Sequence, residues 1–250
     1  MRVDKLEKGS IVHVIQRGGR GLNIVKDISD RKRFIRSLFF LNHGDFNPDW
    51  DRLVSNKAFF TSNPTSSSRT AGGSAGRAGT RKRDSLTAIL AFTLLTNHFH
   101  LILMETREGG VASFMKRLGQ SMTNHFNQKY SSRGSIFQGG YKGKRIDNDR
   151  YLRWVVPYVL VKNTFEMHPR GLLWASKNFE EAWKWAISYP FSSLRAYAGE
   201  GIPSAINPYP LRDALGGPKQ FKSLCKEMIH GRMGNESMDP DFMKLTFDHV

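Results

Sequence analysis

The chain has 250 residues, 39% of them hydrophobic, which is enough for one good core with a small appended unit. Lys and Arg number 38 against 22 Asp and Glu, a formal net charge of +16, and such an excess points to a polyanionic partner, nucleic acid first. A mean hydropathy of -0.45 and no apolar run near the ~18 residues of a spanning helix argue against a membrane, and the single cysteine, Cys225, excludes an internal disulfide framework and a cysteine-based zinc site.

Met1 to Glu7 holds no apolar signal core, so the expected setting is intracellular. From Ser10 to Gln16 the residues Ile11, His13 and Ile15 alternate with Val12, Val14 and Gln16 as on a strand, and Arg17-Gly18-Gly19-Arg20-Gly21 then turns with two guanidiniums exposed. Phe34, Ile35, Leu38 and Phe39 recur at helical spacing between Ser29 and Leu41, with Ser29 or Asp30 as cap. Residues 62–85 are rich in Ser, Thr, Gly and Arg and bury too little apolar area to offset ordering entropy, so they read as a disordered basic insertion. Arg69, Arg77, Arg81, Lys82 and Arg83 could touch phosphates from it, or simply be solvated.

A second strand is expected over Leu86 to Leu95, paired antiparallel with a third that holds Asn97-His98-Phe99-His100-Leu101-Ile102-Leu103. On a strand, positions i and i+2 leave from one face, so His98 and His100 converge while Phe99, Leu101 and Leu103 face the other way. Two imidazoles aimed at one point suit a divalent cation; two satisfied core histidines are the alternative. After Gly109-Gly110, the residues Val111, Phe114, Met115, Leu118, Met122 and Phe126 mark a long amphipathic helix to about Tyr130. Ser131 to Ile146 interleaves Phe137, Gln138, Tyr141, Lys142, Lys144 and Arg145 with glycine, the mix that neutralises a nucleic-acid backbone and stacks bases. A plain surface hairpin has the same look.

Asp147-Asn148-Asp149 offers caps for a helix with Tyr151, Leu152, Val155, Val156, Val159 and Leu160 on its apolar stripe. Tyr158 falls on the margin of that stripe, where its hydroxyl can reach a cleft, and Pro157 should kink the helix or reset its start. In the tail, Gly217-Pro218 opens a helix with Phe221, Leu224, Cys225 and Met228 on one face, ended by Gly231. It either docks on the preceding domain or adds a DNA contact.

This order of parts resembles the single-tyrosine HUH transposases, and within them the REP-associated tyrosine transposases. The residues that carry the resemblance are His13-Val14-Ile15-Gln16-Arg17-Gly18, the Asn97 to Leu103 strand, Phe137-Gln138-Gly139-Gly140-Tyr141-Lys142, Tyr151-Leu152, Tyr158-Val159-Leu160 and Tyr189-Pro190-Phe191-Ser192-Ser193-Leu194-Arg195-Ala196-Tyr197. It spans roughly residues 8 to 200. The resemblance implies an α+β fold, a ferredoxin-like antiparallel sheet with helices packed on one face, over residues 1–200, followed by a C-terminal helical extension over 201–250. It further implies a metal-dependent DNA transposase that cleaves and rejoins single-stranded DNA at hairpin repeats through a 5′-phosphotyrosine. In that reading Tyr158 is the nucleophile, His98 and His100 bind Mg²⁺ or Mn²⁺, no nucleotide cofactor is needed, and the protein is cytoplasmic and nucleoid-associated, as monomer or homodimer. Tyr158 is preferred over Tyr130, Tyr141 and Tyr151.

One departure stands out. In the family the third ligand, Asn or Gln, lies one helical turn after the nucleophile, where this chain has Lys162, and an ammonium cannot ligate a metal. Asn163 could take the role if the Pro157 kink rotates the helix end; Lys162 could contact the scissile phosphate; the chain could be impaired in cleavage and act only as a hairpin-binding protein; or Lys162 could be a solvated cation at a helix end. Arg17, Arg20, Gln138, Tyr141, Lys142, Lys144, Arg145 and Lys162 are the expected nucleic-acid contacts. His13, His43, His125 and His168 are assigned structural or solvent roles, because none has a same-face partner of ligand type nearby.

Overall fold

The computed structural model describes residues 6–44 and 84–234, and the expected basic insertion lies outside them up to residue 83. A four-stranded sheet is built from β1 (Ile11–Arg17), β2 (Thr87–Leu94), β3 (His98–Glu105) and β4 (Lys142–Ile146), in the spatial order β2-β3-β1-β4. Every neighbouring pair is antiparallel. With α1 (Ile28–Phe40) between β1 and β2 and α2 (Gly110–Tyr130) between β3 and β4, the succession is βαββαβ, the ferredoxin-like arrangement expected.

The helices on the first face are held at their ends by carboxylates. Asp27, rather than Ser29 or Asp30, caps α1: its side chain accepts from the backbone of Ser29 and Asp30, while Asp30 bonds back to the Asp27 N–H. Asp30 is then fully buried against the end of α2, accepting from His125 (2.9 Å), Lys129 (2.7 Å) and Tyr130 (2.7 Å). At the start of α2, the Glu105 carboxylate accepts from the N–H groups of Gly110 (3.0 Å) and Val111 (2.9 Å), so a buried anion meets the positive end of the helix. Gly110 has to be glycine because a Cβ there would meet the Leu86 carbonyl oxygen. Between these anchors Val12, Val14, Phe99, Leu101 and Leu103 are buried against α1 and α2, with the Phe99 ring 5.1 Å from Phe34 and 6.0 Å from Phe137.

Helices also cover the second face. α3 (Asp149–Pro157), capped by Asn148 through the Tyr151 N–H (2.8 Å), leads into a π-helical turn over Tyr158–Lys162 and then α4 (Asn163–Glu166). Two further helices, α5 (Gly171–Lys177) and α6 (Phe179–Ser188), follow. Residues 191–193 then bind the free edge of β2: the Leu94 N–H bonds to Phe191 (2.9 Å) and the Ser193 N–H to Phe92 (3.0 Å), which closes an edge that would otherwise template pairing. Short helices α7 (Leu194–Tyr197) and α8 (Tyr209–Ala214) precede α9 (Gly217–Gly234). Helix α9 docks rather than projects, with Phe221, Cys225 and Ile229 buried and the Phe221 ring 5.3 Å from Tyr197. It runs past the expected stop at Gly231 because that residue does not take the left-handed conformation that ends a helix.

Candidate active site

Strand register decides which side chains share the second face. Residues paired across an antiparallel ladder point the same way, and β3 is paired so that Arg17 lies opposite His98, Ile15 opposite His100 and His13 opposite Ile102. On the flanking strands Thr93 lies opposite His100, Lys142 opposite Ile15 and Lys144 opposite His13. One face therefore carries three histidines, a threonine, an arginine and two lysines. The rings of His98 and His100 stand 5.0 Å apart at 74°, and those of His100 and His13 stack at 5.2 Å with a 2.9 Å hydrogen bond between His100 Nδ1 and His13 Nε2. His98 Nδ1 lies 2.7 Å from Asn97 Oδ1; since the amide oxygen only accepts, Nδ1 carries the proton and Nε2 the lone pair. His100 Nε2 is buried with no hydrogen-bond partner.

The helix above supplies the rest. Pro157 has no N–H to give to the turn before it, and the expected disturbance takes the form of a change of ladder: the chain stays helical through Pro157 and then widens into the π turn. Thr93 fixes that turn from below by donating to the Val159 carbonyl (2.7 Å). The Tyr158 ring sits 5.5 Å from His100 and 6.3 Å from His13, with Trp154 stacked on its other side at 4.9 Å. Its expected place at the edge of the stripe is corrected, because the side chain is 0% exposed; packing on the histidine face and under Trp154 encloses it.

Lys162 is not a solvated helix-end cation. It is half-buried, pairs with Glu166 and holds its Nζ 5.0 Å from the centre of the Tyr158 ring. Asn163 gains from the π turn. On an α-helix it would point roughly 140° away from Tyr158, but here its N–H closes on the Tyr158 carbonyl, the i+5 bond that defines the wider turn. Its side chain is fully buried, and neither Oδ1 nor Nδ2 has a hydrogen-bond partner. An orphaned buried amide is costly and is met by a water, a ligand or an ion.

Burial, then the neighbouring imidazoles, Lys162 and Arg17, hold the His100 pKa well below the usual imidazole range, so the ring is neutral, the form that ligates. Among the described residues no group of three His, Cys, Asp or Glu is placed to hold a metal ion. A cation here would draw on two imidazoles and an amide oxygen, and the orphaned atoms of His100 and Asn163 fit that need.

The expected nucleic-acid contacts divide by place. Arg17, half-buried beside His98, joins Gln138 and Lys142 around a cleft of about 240 Å³, with the Gln138 N–H bonded to the Arg17 carbonyl (3.0 Å). Lys144 lies 4.9 Å above the Tyr151 ring. Arg20 is exposed in the turn Gly19–Gly21 with a left-handed φ of 54°. Tyr141 belongs to a different cleft, of about 520 Å³, with Lys116, Gln120 and Phe137, and burial raises its pKa. Arg145 pairs with Val12 and so points to the face away from the histidine pair.

His125 is structural as expected, on Asp30, and His168 is held between Trp174 (4.8 Å) and Trp185 (4.7 Å). His13 is the correction: it does have a same-face partner of ligand type, His100. The signal was present in the alternation of His13 with Val12 and Val14, but only the register of β1 against β3 shows which face that is.

Fold and site together define a ferredoxin-like α+β protein whose second sheet face gathers three imidazoles and a phenol beneath a π turn. Among solved structures, one described as the REP-associated tyrosine transposase bound to a REP hairpin is similar, at 13% identity and a TM-score of 0.45, covering 82% of this chain and 88% of that one. A likeness of that degree carries no argument about function. No protein-family model and no curated protein matches the chain.

Proposed function

We propose that the protein is a metal-dependent transposase-type strand transferase for single-stranded DNA folded as a hairpin, with Tyr158 as nucleophile. The observation that carries this reading is the meeting of the Tyr158 ring with the His100 ring, 5.5 Å apart on one sheet face although 58 positions separate them in sequence. In the reaction the Tyr158 oxygen bonds to phosphorus, the P–O3′ bond breaks, and the phenol proton replaces phosphorus on the 3′ oxygen. The products are a 5′-phosphotyrosine and a free 3′-OH, which retains the chemistry for rejoining without a nucleotide cofactor.

His98, His100 and Asn163 would hold the divalent cation, Mg²⁺ or Mn²⁺. When bound, that ion withdraws charge from a phosphate oxygen. A free phenol with a pKa near 10 is a weak nucleophile at neutral pH, and the Lys162 Nζ lies 5.0 Å from the centre of the Tyr158 ring. Arg17, Lys142 and Lys144 neutralise the strand's phosphates along the same face, and Trp154, stacked over Tyr158 and half-buried, is the side chain an incoming strand displaces.

One observation favours a second reading, a noncatalytic hairpin-binding protein: Tyr158 has no exposed surface. Incubation with end-labelled hairpin DNA and Mn²⁺ separates the two. A covalent protein–DNA adduct that Tyr158→Phe abolishes is expected. Tight binding with no cleavage by the wild type supports the second reading, and cleavage that persists in Tyr158→Phe replaces the tyrosine with water as nucleophile.

A further inference from the structure

We infer that His13 is a positioning residue: by accepting the Nδ1–H of His100 at its own Nε2, it fixes the orientation of that ring and the tautomer that leaves the His100 Nε2 lone pair for a cation. The inference rests on the proposed ion site and adds to it a residue that does not touch the ion.

Hydrogen accounting supports it. Each neutral imidazole has one donor and one acceptor nitrogen, so the 2.9 Å contact between the two rings has two solutions. In the first, His100 donates from Nδ1, which leaves its Nε2 as a lone pair. His13 then carries its proton on Nδ1, which lies 3.4 Å from the Tyr151 hydroxyl, an oxygen able to accept. In the second, His13 donates from Nε2, and the proton on His100 moves to Nε2. That nitrogen is buried and has no acceptor, and a buried N–H without a partner is rarer and costlier than an under-used lone pair. The second solution would also turn an N–H towards the place of the ion.

Geometry restricts His13 to this work. It is 0% exposed, stacked on His100 with an 11° interplanar angle, edge-on to Tyr158 and beside the Tyr151 hydroxyl, so its ring cannot swing away without disturbing that packing. Its ring also stands edge-on to Tyr158 at 6.3 Å, so the same side chain helps set the distance between His100 and the phenol. An outer partner that donates to or accepts from a metal-binding histidine typically alters metal affinity about 10- to 100-fold when removed.

The test uses full-length protein with ¹⁵N-labelled histidine and no added ion. Imidazole ¹⁵N shifts are read first, then Mn²⁺ affinity by EPR. The wild type is expected to show His100 protonated at Nδ1. His13→Leu should lose that preference and bind Mn²⁺ about 10- to 100-fold more weakly, while His13→Gln, whose Oε1 can accept the same proton, recovers most of both. A wild-type His100 protonated at Nε2 overturns the inference, as does His13→Leu binding Mn²⁺ like the wild type, or His13→Gln binding no better than His13→Leu. If the leucine variant does not fold, the wild-type tautomer and the glutamine variant decide. A wild type that binds no Mn²⁺ refutes the ion site, and the tautomer measurement on ion-free protein still decides what His13 does.

Discussion

The two faces of one sheet are built from alternate residues of the same strands, yet they are finished in opposite ways. On the face under α1 and α2, Phe99 meets Phe34 and Phe137, and the buried Asp30 and Glu105 carboxylates are each saturated with donors. On the face under the π turn, a buried imidazole nitrogen and a whole buried amide lack partners, and the helix leaves its regular ladder. Buried polar groups left open and irregular helix geometry both cost stability; the buried Ser37 hydroxyl is open within the regular helix α1, whereas under the π turn open atoms coincide with an interrupted helical ladder. The difference between adjacent residues of β3 is the cleanest form of the contrast.

Phe99→Ala and His100→Leu test it from the two sides. Phe99 is fully buried between two aromatic neighbours, and its truncation should cost about 3–5 kcal/mol in urea unfolding. His100→Leu keeps the volume and removes an unsatisfied atom, so it should cost less than about 2 kcal/mol, mainly for the bond it takes from His13, while abolishing Mn²⁺ binding. Equal losses of stability would erase the distinction between the faces.

Acid should destabilise the faces in different windows. At Asp30 burial alone would raise the carboxyl pKa, but hydrogen bonds from Lys129, the Lys26 N–H, Tyr130 and His125 outweigh it and hold the value at about 2, against 3.8 in an unfolded chain. Its contribution, about 2 kcal/mol, is present above pH 3.8 and is lost as pH falls towards 2; Asp30→Asn should remove that step. His100 behaves differently. Its folded pKa lies well below 6.5, so the unfolded chain takes up the proton first and stability begins to fall as pH drops below 6.5. His100→Leu should reduce that slope, leaving the shares of His125 and His168, whose pKa values burial also lowers, and the lower step intact, as urea midpoints across pH 2 to 8 would record.

Much of the fold was legible because its signals are local. The alternation in β1, the apolar periodicity of α2 and the two imidazoles at i and i+2 follow from strand and helix repeats, and the structure keeps them within a residue or two. What escaped depends on contacts distant in sequence. Asp27 caps α1 in place of Ser29 or Asp30 because Asp30 is drawn into the cluster at the end of α2, about a hundred residues on. His13 joined the site through strand register, and the place of Asn163 depends on a π turn that neither propensity nor periodicity encodes. Lys142, Lys144 and Arg145 look alike in sequence, but the pleat separates them.

That separation yields the smallest effect. Lys142 lines the cleft beside Arg17 on the histidine face, so Lys142→Ala should weaken hairpin binding and lower the slope of log affinity against log salt by about 1. Arg145 faces the other way, and Arg145→Ala should leave both unchanged. A salt series on the two variants reads the difference, and the reverse ranking would move the DNA path to the opposite face.

The most direct measurement is pulsed EPR of Mn²⁺ bound to the wild type and to His98→Ala. The account predicts nitrogen modulation from two imidazoles in the wild type and from one in the variant. Mn²⁺ bound with no imidazole nitrogen would contradict it.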